Sequence, residues 1–106
     1  MSEVAERYAK IEGRVAEAVE AVKGDTGASP VLVAVVEEFA RKIAKAKEQI
    51  TSGDESAAYA AVVEAEQAAD SAKYAAEADP GLADAAREAV VAAHDRICVM
   101  KTKWGS

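Results

Sequence analysis

The chain reads as an all-α protein, an antiparallel up-down-up-down four-helix bundle. Three observations predict it. Alanine supplies about a quarter of the 106 residues and aromatics only 5%, a balance that favours helix over sheet. Apolar residues recur every three or four positions through four separate segments. The breaks between those segments are short and carry helix start and stop residues. By length, residues 1–104 make a single domain, and Gly105-Ser106 read as a cloning remnant with no part in the fold.

The first helix is expected from about Glu3 to Lys23, with Val4, Tyr8, Ile11, Val15, Ala18 and Val22 as its apolar stripe. Gly24 is expected to cap it in the left-handed conformation. The second begins with Ser29 as N-cap and Pro30 at the first helical position. Its stripe is Leu32, Val35, Phe39, Ile43, Ala46 and Ile50, broadened by Val31, Val33 and Val36. Thr51-Ser52-Gly53-Asp54 ends it, and Asp54, or Ser52 with Glu55, caps the third.

The third helix runs to about Ala78, with Ala58, Val62, Ala65, Ala69, Ala72 and Ala76 on one line. Alanine loses no side-chain entropy on becoming helical, so this segment needs little tertiary help to form. Asp79-Pro80-Gly81 interrupts it, and Asp79 with Pro80 is expected to start the fourth helix. That helix carries Leu82, Ala86, Ala89, Ala93, Ile97, Met100 and Trp104. Short connections then place Tyr8, Ile50, Tyr59, Met100 and Trp104 at one end of the bundle.

Charge and composition exclude several classes. The net charge of −6 and the lack of a basic face with interleaved aromatics speak against nucleic acid. The longest apolar run, Val31 to Val36, is too short to cross a bilayer, and the N-terminus lacks a signal-peptide pattern. A single cysteine, Cys98, fits a reducing compartment, so the expected location is the cytoplasm. Isolated glycines form no phosphate-cradling loop, and Glu37-Glu38 and Glu64 with Glu66 do not face each other on a helix.

No catalytic residue is assigned, and neither a cofactor nor a small-molecule ligand is expected. His94 and Cys98 have the spacing of a two-ligand metal clip, but two donors do not make a zinc site, so no metal is expected within one chain. In composition and architecture the chain resembles histidine phosphotransfer domains, which implies His94 as an alternative phosphoacceptor. Those domains place a lysine and a glycine three and four residues after the histidine; here the positions hold Ile97 and Cys98.

The principal expectation is a non-enzymatic helical protein that acts through a protein partner or a homo-oligomer, as adaptor, regulator or assembly subunit. Its expected interface combines Val31, Val33 and Val36 with Glu66, Asp70 and Glu77. The segment Asp54–Ala78 carries six acidic residues against Lys73 alone, which makes the third helix the acidic face.

Overall fold

The computed structural model describes residues 2–104, so Gly105 and Ser106 lie outside the described residues. It contains four helices among those residues: α1 (Ser2–Lys23), α2 (Pro30–Ser52), α3 (Glu55–Glu77) and α4 (Asp84–Thr102). They pack α1 on α2, α2 on α3, α3 on α4 and α4 on α1, in a body of 41 × 19 × 18 Å. No described helix is long and apolar enough to cross a membrane.

Local chemistry explains most boundaries. The Ser29 hydroxyl accepts the Leu32 amide at 3.1 Å ahead of Pro30, and Asp54 caps α3 through the Ala57 amide at 3.0 Å. Gly53, at φ 84°, closes α2 in the left-handed region open to glycine. Two expectations are corrected here. Gly24 does not take that conformation; its amide donates to the Glu20 carbonyl at 2.9 Å. The fourth helix starts at Asp84 rather than at Pro80, and the Asp79 carboxylate takes its partners from two loops.

Those partners form a clasp between the α1–α2 and α3–α4 loops. Asp79 Oδ2 accepts the Ser29 amide at 2.9 Å, and Asp25 Oδ2 accepts the Ala83 amide at 2.7 Å. Each aspartate also accepts the amide of the glycine two residues on, Gly81 at 3.0 Å and Gly27 at 2.8 Å. These backbone donors hold the Asp25 carboxyl below its ordinary range. The glycines lie back to back. A Cβ on Gly27 would stand 2.0 Å from the Gly81 carbonyl oxygen, and one on Gly81 would stand 2.5 Å from that of Gly27. Arg87 finishes this end by donating to the carbonyls of Ala76, Asp79 and Leu82.

The clasp marks an internal equivalence. The sequence step from Gly27 to Gly81 also carries Asp25 to Asp79, Tyr8 to Val62, Ile11 to Ala65, Val15 to Ala69 and Val22 to Ala76. It carries Leu32 to Ala86, Val36 to Val90, Phe39 to Ala93 and Ile43 to Ile97, and every one of these apolar residues is buried. Even an ion pair repeats: Lys47–Glu12 at 3.4 Å in the first half, Lys101–Glu66 at 3.2 Å in the second. At most of these buried positions α1–α2 carry a bulky side chain where α3–α4 carry alanine.

The core follows the expected stripes with two exchanges. Val36 and Val90 are buried, whereas Val35 and Ala89 are only partly so. Since Val36 belongs to the core, it is withdrawn from the expected interface. Tyr8, 1% exposed, donates its hydroxyl to the Ile43 carbonyl, and burial, with Glu12 nearby, pushes its ionisation well above the ordinary tyrosine range. Tyr59 and Trp104 meet at that same end, ring centroids 5.9 Å apart.

Candidate metal centre

Where α3 lies against α4, four side chains of three chemistries converge. Glu66 and Asp70 stand one turn apart on α3; His94 and Cys98 stand one turn apart on α4. Four-residue spacing puts each pair on one helix face, and packing brings the faces together. One donor atom from each of the four lies within 4.8 Å of all the others. His94 Nε2 is 2.7 Å from Asp70 Oδ1, and Cys98 Sγ is 3.4 Å from that nitrogen and 3.6 Å from Glu66 Oε2.

These distances suit a small divalent transition metal. With bonds of about 2.0 Å to nitrogen or oxygen and about 2.3 Å to sulfur, tetrahedral zinc holds its donors roughly 3.3–3.5 Å apart. The edges from Cys98 to His94 and to Glu66 are already of that size. Binding would require the 2.7 Å His94–Asp70 edge to open, and Asp70, with about half its side chain in solvent, has space on that side. A nitrogen, a sulfur and two oxygens form a borderline donor set that favours zinc over magnesium or calcium.

The surroundings complete the arrangement. His94 Nδ1 lies 3.0 Å from Asp95 Oδ1, a carboxylate placed to orient the ring and leave Nε2 facing the cluster. Lys101 Nζ is 3.2 Å from Glu66 Oε1, and this pairing raises the Lys101 ammonium pKa. The His94 and Glu66 side chains are only 12% and 13% exposed, so the cluster is shielded on its inner side.

Without metal the anions act on the thiol. Burial, then Glu66, Asp70 and Asp95, pushes the Cys98 pKa up to about 11 from an ordinary 9.0. A raised pKa keeps the proton on sulfur as pH climbs, so thiolate forms later in the folded chain than in the unfolded one. At pH 9 about half of an unfolded cysteine is ionised against about 1% of Cys98, so alkylation of the folded, metal-free protein is expected to run roughly 50-fold slower. Iodoacetamide kinetics followed by mass spectrometry, with and without denaturant, measure this ratio. A value near one would show that neither burial nor the carboxylates keep the thiol protonated. A bound dication reverses the electrostatics, and coordination displaces the thiol proton.

The first half of the chain supplies an internal control. The positions equivalent to Glu66 and Lys101 are Glu12 and Lys47, still paired, whereas those equivalent to Asp70, His94 and Cys98 are Ala16, Ala40 and Ala44. The same helix pairing therefore forms with three alanines at these positions. Packing does not require an aspartate, a histidine and a cysteine there.

Of the other sequence-predicted residues, Val31 is 70% exposed and lines a shallow hollow with Ala75 and Ala78 at the end of α3, Val33 is partly buried against the core, and Glu77 is exposed. His94 is placed poorly for the alternative phosphoacceptor role, because both ring nitrogens face carboxylates that repel an incoming phosphoryl group. The sequence shows His94 and Cys98 only as a two-donor pair, from which no metal is expected, and it assigns Glu66 and Asp70 to a protein interface instead. The available signal was a second pair of donors with the same four-residue spacing on the neighbouring helix. No protein-family model, curated protein or solved structure matches the chain.

Proposed function

We propose that this chain is a non-enzymatic, zinc-binding helical module whose metal ties α3 to α4, and that it acts through contacts with protein partners. Its helices are read as an antiparallel up-down-up-down bundle, working in the cytoplasm, where a reducing environment keeps the Cys98 ligand available. The observation that carries the reading is the convergence of Glu66, Asp70, His94 and Cys98 at positions where the equivalent half of the fold has one glutamate and three alanines. Four protein donors fill a tetrahedral ion and leave no position for substrate, the pattern of structural rather than catalytic zinc.

Titration of the reduced protein with Co²⁺ tests this. One equivalent is expected to produce intense visible bands of tetrahedral cobalt and a near-ultraviolet thiolate-to-metal band, both abolished by Zn²⁺. Cys98→Ser should remove the thiolate band, and His94→Ala should weaken binding by about 10–100-fold or more. A weak, octahedral spectrum in the parent protein, unaltered by either substitution, would refute the metal assignment.

A further inference from the structure

We propose that the groove between α1 and α4 docks an acidic amphipathic helix from a partner protein. This inference does not depend on the metal assignment. The groove has a volume of about 490 Å³, with Ile11, Val99 and Met100 as its apolar floor and Arg7, Lys10 and Arg96 on its rim. A second hollow shares Lys10 and Arg96 with it and continues along α1 past Gly13 to Arg14 and Glu17. Four cations thus line one face of a chain whose net charge is −6.

The equivalent interface within the same molecule shows what is missing here. Where α2 meets α3, Lys42 Nζ pairs with Glu64 Oε1 at 3.2 Å. The positions equivalent to Lys42 and Glu64 are Arg96 and Lys10, so a cation faces a cation across the α1–α4 groove. Arg7 and Arg14 correspond to Ala61 and Ala68, which lie against the core. Among the described residues no carboxylate pairs with Arg7, Lys10 or Arg96, and Arg14 meets Glu17 only at 3.8 Å. Asp95, the acidic residue on the groove wall, is turned toward His94. The negative charge that closes the sister interface from within must here come from outside.

The shape selects the occupant. From Arg7 to Arg14 the rim runs two helical turns, about 10 Å, and it is open along its length, unlike an enclosed small-molecule pocket. A Cβ added at Gly13 would meet nothing within 4 Å, so the missing side chain leaves room for another backbone to approach. An apolar stripe flanked by glutamates matches such a groove. An anionic bilayer does not, because the rest of the acidic surface is repelled by it.

The test uses a fluorescently labelled peptide of about five helical turns, with leucines on one face and glutamates on its flanks, and a counterpart carrying lysine in place of glutamate. Anisotropy with the full chain should show saturable binding of the glutamate peptide alone. Affinity should fall about tenfold or more on raising salt, and by a similar factor in Lys10→Glu or Arg96→Glu, both surface changes whose helicity circular dichroism verifies. The proposal is overturned by any of three results: no saturation at millimolar protein, equal binding of the lysine peptide, or affinity indifferent to the charge reversals. Binding of anionic vesicles in preference to the peptide, or self-association lost in Arg96→Glu, overturns it as well.

Discussion

Gly27→Ala is expected to destabilise the protein by about 3 kcal/mol or more, lowering the melting temperature by roughly 15 °C. The added Cβ would stand 2.0 Å from the Gly81 carbonyl oxygen, a backbone atom that moves only if the two loops part. Parting them stretches the Ser29–Asp79 and Ala83–Asp25 hydrogen bonds, which together join the halves at this end. Two other glycines provide the scale. Gly53→Ala places a side chain at φ 84° in open space and should cost only about 1 kcal/mol. Gly13→Ala also meets no neighbour and should stabilise α1 by about 0.5–1 kcal/mol. Thermal and denaturant unfolding of the three variants tests the ranking. Gly27→Ala falling within 1 kcal/mol of the parent would mean the loops do not touch as described.

The triple variant Asp70→Ala, His94→Ala, Cys98→Ala should fold and, on the proposed zinc reading, fail to bind zinc. It copies into the second half the alanines that the first half already holds at Ala16, Ala40 and Ala44. Alanine also has the higher helix propensity, so the metal-free stability should stay within about 1 kcal/mol of the parent or exceed it. Zinc at 100 times its dissociation constant should stabilise the parent by about 2.7 kcal/mol and leave the variant unchanged. Unfolding curves with zinc and with chelator read both effects. Loss of several kcal/mol in the variant, with zinc inert toward the parent, would instead make the cluster a structural hydrogen-bond network.

The exchange of Val36 for Val35, and of Val90 for Ala89, shows where pattern reading stops. On a helix either neighbour satisfies a three-or-four spacing, and only the position of the facing helix decides which one is covered. Asp79 shows the same limit. By sequence it is a good N-cap ahead of a proline, yet its carboxylate accepts the Ser29 amide from a loop fifty residues away in the chain. Its other oxygen keeps the local bond to the Gly81 amide, yet no helix follows there, and α4 starts at Asp84 with no side-chain cap.

The four-donor cluster was half legible. His94 and Cys98 share a face by spacing alone, whereas Glu66 and Asp70 join them only through the alignment of α3 with α4. By itself the sequence determined that four helices form, which faces turn inward and where chain reversals fall, since these follow from propensity, periodicity and turn chemistry within a few residues. Tertiary structure alone decided which polar groups meet: the loop clasp, the four-donor cluster and the cations gathered along the α1–α4 groove. Each depends on the relative height of two helices, a quantity set by packing across the whole core and written in no single segment.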